Sequence, residues 1–293
     1  IASAKIRMGM AECIIAGGPE SMSMVPTAGW KTVPAYSIAK DEPDYYLSMG
    51  LTAEAVAKEF KVSREAQDEF AYRSHQKALT ATEKGYLKEG VLPITVEEVY
   101  LDETGKKKSR SFVVDADEGP RKDTSMEALA KLKPAFAANG CVTAGNSSQT
   151  SDGAAFVMVM SERLVNELSV QPIGRLVACV SAGVHPRIMG IGPVAAIPKV
   201  LKQAGMNLSD IDLIELNEAF ASQSIAVINE AGLNPEIVNV NGGAIALGHP
   251  LGCTGAKLTI QILNDLKRNS QKYGMVTACV GGGQGIAGIV ERL

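Results

Sequence analysis

Three polar residues in the C-terminal part of the chain, one after a short apolar strand and two beside glycines, stand where a side chain can meet a ligand. Asn217 opens the run Asn217-Glu218-Ala219-Phe220-Ala221 after a short apolar strand. At a strand-to-helix junction of an α/β sheet, an Asn can donate to an oxyanion or hold a water. It can equally cap the helix that follows. His249 sits in the glycine-flanked loop Asn241-Gly-Gly-Ala-Ile-Ala-Leu-Gly248-His249-Pro250-Leu-Gly252. Its ring titrates near neutrality and can move a proton, although a single histidine can also be structural. Cys279 ends an apolar strand and precedes Gly281-Gly282-Gly283. A thiol there suits acid/base or nucleophilic work; a small residue filling a tight core is the alternative. Two influences oppose each other on that thiol. The apolar strand Met275–Ala278 raises its pKa by desolvation, and glycine N–H groups turned towards it would stabilise a thiolate.

Strands alternating with helices must position these groups. From Val142 onward the pattern predicts strands at 154–160, 175–184, 212–215, 237–240, 275–281 and 286–292. Helices are predicted at 161–168, 193–204, 218–231 and 253–267, an α/β layer structure. Upstream, Ile1–Met8 reads as a helix stopped by Gly9 and Cys13–Ala16 as a buried strand. Pro19–Tyr46 reads as a long loop. Thr52 is expected to cap a helix over 53–60 and Ser63 a longer one to about Gly85. A hairpin is expected around Glu103-Thr104-Gly105, and its cluster Lys106-Lys-Lys-Ser-Arg110 reads as a solvated edge, with a phosphate contact as the lesser reading. His75 and His185 read as surface residues. The helix and strand ending Ala16-Gly17-Gly18 echo those ending Val280-Gly281-Gly282, which suggests two similar halves.

Composition narrows the classes. Apolar residues make up 46% and charged residues 21% of 293, which excludes wholesale disorder. The formal charge of −3 excludes a globally basic nucleic-acid binder. Five cysteines without a C-x-x-C, and three histidines, suit neither a disulfide framework nor a metal site and point to a reducing compartment. The uncharged stretch Gly274–Val290 is too rich in glycine for a membrane span and reads as two strands joined at the glycines. No signal peptide is expected before Ile1, and a chain that opens inside a helix is expected to continue upstream.

Together these segments resemble the thiolases, the acetyl-CoA acetyltransferase and 3-ketoacyl-CoA thiolase family. The resemblance runs from Ile1 to Leu293 and includes Gly17-Gly18-Pro-Glu-Ser-Met-Ser-Met24, Met49-Gly-Leu-Thr-Ala-Glu54, Ser63-Arg-Glu-Ala-Gln-Asp68, Lys131-Leu-Lys-Pro134, Thr143-Ala-Gly-Asn-Ser-Ser148, Ser151-Asp-Gly-Ala154 and Met189-Gly-Ile-Gly-Pro193. It implies a duplicated α-β-α layered fold with an inserted loop domain. The expected division is 1–24 and 141–170 for the N-terminal half, 25–140 for the loop domain and 171–293 for the C-terminal half.

The implied chemistry is acyl transfer through a cysteine thioester, by thiolysis of a 3-ketoacyl-CoA or, in reverse, Claisen condensation of acetyl-CoA. By resemblance His249 activates the nucleophile, Cys279 is the acid/base at the acetyl carbon, Asn217 positions a water in one oxyanion hole, and the Gly281 N–H donates at the other. Met49 and Phe220 are candidates for the pantetheine and acyl pocket, and Lys131 and Lys133 for the CoA phosphates. CoA and acyl-CoA are substrates, with no cofactor or metal. The family's Cys-x-Ser-Gly nucleophile motif is matched by none of the five cysteines. It is expected upstream of Ile1, together with the first strands of the N-terminal half, so residues 1–293 alone are expected to be inactive and poorly folded. For Cys253, near the pseudo-symmetric position, a substitute nucleophile is the lesser reading and a small buried residue at a helix start the greater.

A ketoacyl synthase shares the implied fold but would carry a second histidine where Asn217-Glu218-Ala219-Phe220 stands. A non-catalytic acyl-CoA- or lipid-binding relative is the alternative from another class, against which the retained His249 and Cys279 argue. A homodimer or homotetramer is implied, without nucleic acid or a membrane span. The implied location is the cytoplasm, or the mitochondrial matrix or peroxisome in a eukaryote.

Overall fold

A computed structural model describes residues 1–293. The chain opens with α1 (Ala2–Arg7), which stops where Gly9 takes a positive φ, and enters β1 (Cys13–Ser21). Then come α2 (Tyr36–Asp41), α3 (Met49–Glu59) and α4 (Arg64–Glu83), the hairpin β2 (Ile94–Leu101) and β3 (Lys107–Val114), and α5 (Met126–Ala130). β4 (Asp152–Met160), α6 (Glu162–Leu168), β5 (Gly174–Gly183) and α7 (Gly192–Ala204) follow. The remainder is β6 (Leu213–Leu216), α8 (Ala221–Glu230), α9 (Ala244–Leu247), α10 (Thr254–Arg268), β7 (Tyr273–Val280) and β8 (Gln284–Arg292).

The central sheet has the order β5-β8-β7-β6, with β6 and β7 parallel and the other two pairings antiparallel. Each face is apolar and each takes a helix. On one side Ala196, Ile197, Val200 and Leu201 of α7 and Val227 of α8 pack against Met275, Ala287 and Ile289. On the other, Ile262, Leu263 and Leu266 of α10 meet Leu213 and Val290. Their spacing is that of one helix stripe turned to a sheet. α10 also packs on β1 and β4, so it lies between two sheets. β1 and β4 pair antiparallel from Cys13↔Met160 to Ser21↔Asp152, so the intervening chain leaves and returns to the same sheet. Ile15, Phe156 and Met158 on that sheet are exposed.

Several expectations need correction. β1 extends to Ser21 and alternates exposed with half-buried residues; its apolar run fills one face rather than a two-sided core. Pro19–Tyr46 is not one loop, because α2 and a 3-10 turn at Pro43–Tyr46 interrupt it. α3 begins at Met49 after Ser48, and the Thr52 hydroxyl donates to the Met49 carbonyl at 2.7 Å instead of capping. Residues 237–240 form only a single bridge, Ile214↔Val238, because Asn239 adopts φ 46° and leaves strand geometry. α8 starts at Ala221, not Glu218, since Glu218 is drawn into a buried network. His75 is buried at 4% exposure, with Nδ1 accepting the Arg121 N–H at 3.1 Å. His185 is exposed, and Ser63 caps α4 through the Ala66 N–H at 3.1 Å.

Candidate active site

The parallel strands β6 and β7 end side by side, with Asn217 directly after β6 and Cys279 in the last two residues of β7. The Asn217 N–H donates to the Thr277 carbonyl at 2.9 Å, which extends the ladder by one residue and sets Asn217 beside β7 two residues before Cys279. The Asn217 side chain is 1% exposed, yet neither its Oδ1 nor its Nδ2 has a partner within the chain. A buried amide left so costs about 1–3 kcal/mol per unmade bond. Such a group is suited to a bound water or a substrate oxygen.

Glu218 fixes the geometry around it. Its carboxylate accepts from Ser74 Oγ at 2.6 Å, from Asn239 Nδ2 at 2.8 Å and from the Ile245 N–H at 3.3 Å. Burial raises its pKa, opposed by those bonds. Asn239 in turn pairs both amide atoms with the Leu216 backbone at 2.8 Å, standing in for the strand that ends there. One carboxylate thus ties Asn217's segment to α4 and to the loop leading to His249. The Glu218 carboxylate occupies the space a Cβ would need at Gly243. Gly243→Ala is therefore expected to destabilise the protein by about 1–3 kcal/mol, the usual cost of overpacking, and to lower turnover as the loop shifts. Chemical denaturation checks it; an unchanged midpoint would show that the carboxylate yields freely.

The His249 loop is held from several sides. Asn241 Nδ2 donates to Asp265 Oδ1 at 2.7 Å, and α9 is wholly buried. The His249 N–H donates to Ser151 Oγ at 3.2 Å, and Ser151 Oγ donates to the Gln149 carbonyl at 2.7 Å. Gln149 Nε2 lies 3.1 Å from the carbonyls of Gly119, Ile245 and Ala246. The same segment reaches the Asn217 side, with the Ser148 N–H on the Ala219 carbonyl at 2.9 Å and a bridge between Ser147 and Phe220.

His249 is half-buried, and its Nδ1 lies 2.6 Å from Thr254 Oγ1. Burial first, then the Lys257 ammonium, lowers its pKa to about 4. The ring is thus neutral at physiological pH and gains its charge only as pH falls through about 4. An NMR titration of the His249 ring proton is expected to show no inflection near the ordinary ~6.5. An inflection there would mean that the ring is more hydrated than its packing implies.

Cys279 is half-buried, and burial pushes its thiol up to about 12, opposed only by its own backbone N–H. Of the two opposing influences on this thiol, desolvation therefore wins. The following turn takes positive φ at Gly282 (83°) and Gly283 (93°), leaving Gly281 exposed at its start. A Cβ placed on Gly281 would lie 3.8 Å from Met49 Sδ, so α3's first residue flanks this turn. Phe220 packs edge-to-face on Phe136 with centroids 5.9 Å apart, and the Phe136 ring fills the space beside Gly50. An apolar row thus connects Met49's helix with Phe220. Lys131 and Lys133 are exposed on the turn after α5, which Arg64 anchors through the Leu129 and Leu132 carbonyls at 2.7 and 2.9 Å.

Cys253 is buried at the start of α10, and burial raises its thiol pKa. A cavity of about 500 Å³ lies beside α3 between Glu54, Arg64, Cys141 and Arg187, and neither Asn217, His249 nor Cys279 lines it. It is an open cleft between the α3–α4 pair and the 137–141 segment. Sequence reasoning missed Phe136, Ser151 and Thr254 and gave Glu218 no role. A buried Glu directly after the Asn was the one signal that could have exposed the last.

No helix is long and apolar enough to cross a membrane. Residues 1–163 match the family model described as thiolase, N-terminal domain, and residues 170–292 match thiolase, C-terminal domain. The 3-ketoacyl-CoA thiolase of Bacillus subtilis (strain 168) is 52% identical over 290 residues, covering 99% of this chain and 74% of that protein. The acetyl-CoA acetyltransferase of Shinella zoogloeoides is 42% identical, covering 99% of this chain and 74% of that protein. The crystal structure of the dimeric peroxisomal thiolase of Saccharomyces cerevisiae superposes with a TM-score of 0.87 at 40% identity, covering 99% of this chain and 72% of that one. A shared fold, both halves matched and identities this high over nearly every residue leave one assignment: the chain belongs to the thiolase family.

Proposed function

We propose that Asn217, His249 and Cys279 act together in acyl transfer between CoA thioesters: thiolysis of a 3-ketoacyl-CoA or, in reverse, Claisen condensation of acetyl-CoA. The observation that carries this reading is the buried Asn217 amide, unpartnered on both atoms, in a segment tied by Glu218 to the His249 loop and lying beside the strand of Cys279. The names of the relatives, 3-ketoacyl-CoA thiolase and acetyl-CoA acetyltransferase, support it.

In thiolysis a cysteine nucleophile attacks the 3-keto carbon. Neutral His249 takes the thiol proton, and an oxyanion forms on the ketone oxygen. Collapse breaks the C2–C3 bond, leaving the acyl group on the cysteine and an acetyl-CoA enolate. Cys279, protonated at neutral pH, gives its proton to C2. As acetyl-CoA leaves, protonated His249 passes its proton to the Cys279 thiolate; neutral again, it deprotonates incoming CoA, which displaces the acyl group as a new thioester, and returns that proton to the released cysteine. Asn217 through a water, with His249, stabilises one oxyanion, and the Gly281 N–H the other. Met49 and Phe220 line the pantetheine and acyl path, and Lys131 and Lys133 meet the CoA phosphates. None of the five cysteines lies in the family's Cys-x-Ser-Gly motif. By the family resemblance, the nucleophile is proposed to be a residue of the full-length protein outside positions 1–293. A homodimer is the assembly proposed, after the yeast relative described as dimeric.

The test is CoA-dependent cleavage of acetoacetyl-CoA and of longer 3-ketoacyl-CoA esters by the full-length protein, followed by loss of the enolate absorbance. Turnover that requires free CoA supports the reading. Tight acyl-CoA binding without turnover would favour the non-catalytic alternative.

A further inference from the structure

We propose that Thr254 is a positioning residue that holds His249 in the tautomer with its proton on Nδ1, leaving Nε2 as the atom that takes the nucleophile's proton. The argument starts from the hydroxyl. Thr254 Oγ1 lies 2.6 Å from His249 Nδ1 and 2.9 Å from the Pro250 carbonyl, at an angle suited to donation. A hydroxyl has one proton and two lone pairs, and a carbonyl oxygen can only accept. With that proton spent on Pro250, Oγ1 meets Nδ1 as an acceptor, so Nδ1 carries the hydrogen.

The surroundings keep the hydroxyl in place. Thr254 is 5% exposed, is the first residue of α10, and has the stiff χ1 of a β-branched side chain. One turn on, the Lys257 ammonium lies 3.4 Å from the carbonyls of Leu247 and Gly248, the two residues before His249. Thr254 and Lys257 are three apart, so one face of α10 grips both the loop and the ring. The backbone of His249 is fixed independently through Ser151. The ring thus has one polar partner within the chain, at Nδ1. The bond that one imidazole nitrogen makes decides which nitrogen is protonated.

The catalytic half of the proposal rests on the acyl-transfer reading above; the tautomer does not. The test is 15N NMR of the full-length protein labelled with 15N-histidine, with the His249 signals assigned by their loss in His249→Asn. Expected for the unsubstituted protein is a protonated, pyrrole-type Nδ1 and an unprotonated, pyridine-type Nε2. Thr254→Val should shift the tautomer ratio towards Nε2–H by about tenfold, the scale of one lost hydrogen bond. It should also lower kcat/KM for acetoacetyl-CoA thiolysis by at least a similar factor. Thr254→Ser should restore both. A proton on Nε2 in the unsubstituted protein, an unchanged ratio in Thr254→Val, or no restoration by Thr254→Ser overturns the positioning role. A shifted tautomer with undiminished turnover overturns the role of Nε2, and with it the reading of His249 as the base.

Discussion

His249→Asn in the full-length protein is expected to lower thiolysis by roughly 10²–10⁴-fold, the usual scale for removing a positioned acid/base. Acyl-enzyme formation from acetyl-CoA should fall with it. The reason is chemical. A cysteine near its ordinary pKa of ~8.5 is mostly protonated at neutral pH and reacts through its thiolate. Something must take that proton in either direction of the reaction. His249 is suited to it, because burial and Lys257 keep its ring neutral until about pH 4. Asn can hydrogen-bond in the same place but cannot accept a proton. The loop should survive the change, since its anchors at Ser151, Asn241 and Glu218 do not use the ring. Steady-state thiolysis and acetyl incorporation, read beside a thermal melt, check this. Normal acetyl incorporation in a folded variant would remove His249 from the nucleophile's activation.

Cys279→Ser is expected to separate the two steps that His249→Asn affects together. The thiol serves the carbon end of the reaction, where a proton is placed on or taken from the acetyl carbon. With its pKa pushed up to about 12, it rests as the protonated acid, the form that thiolysis needs first. Condensation needs the thiolate, so burial disfavours that direction at this residue. Serine keeps the size and a hydroxyl but gives up its proton far less readily. Thiolysis and condensation are expected to fall by about 10²–10⁴-fold. The fold should hold, because Cys279 ends β7 and the strand's register depends on backbone pairing with β8. Thiolysis within a few-fold of the unsubstituted enzyme would exclude Cys279 as the proton donor.

Local patterns in the sequence gave most of this architecture. Apolar runs bounded by turn residues and period-3.6 apolar spacing located β4 to β8, α7 and α10 within a residue or two, because α7 and α10 each turn one apolar stripe to a sheet and the central strands are covered on both faces. The failures have physical causes. Residues 237–240 read as a strand, but Asn239 leaves the extended region to bond Leu216 and Glu218, and no local pattern shows a partner at that distance in the chain. Glu218 read as the start of a helix, yet its side chain is committed to Ser74, which lies on α4. His75 read as a surface residue, whereas the Arg121 backbone N–H donates to its ring and the residue is buried. The segments holding His249 and Cys279 were legible because glycines flank them, and Asn217 because it follows a short apolar strand at a strand-to-helix junction. Thr254 and Ser151 were not, since an ordinary hydroxyl acquires its role only when the fold sets it beside a histidine.

The central claim is a division of labour: His249 serves the sulfur chemistry and Cys279 serves the carbon chemistry. Rapid-quench labelling of the full-length Cys279→Ser variant with acetyl-CoA radiolabelled in the acetyl group tests it most directly. The expected result is acetyl incorporation on the enzyme at close to the unsubstituted stoichiometry and rate, while turnover has fallen by about 10²–10⁴-fold. Incorporation that falls as far as turnover in a folded variant would contradict the division and place both residues in a single step.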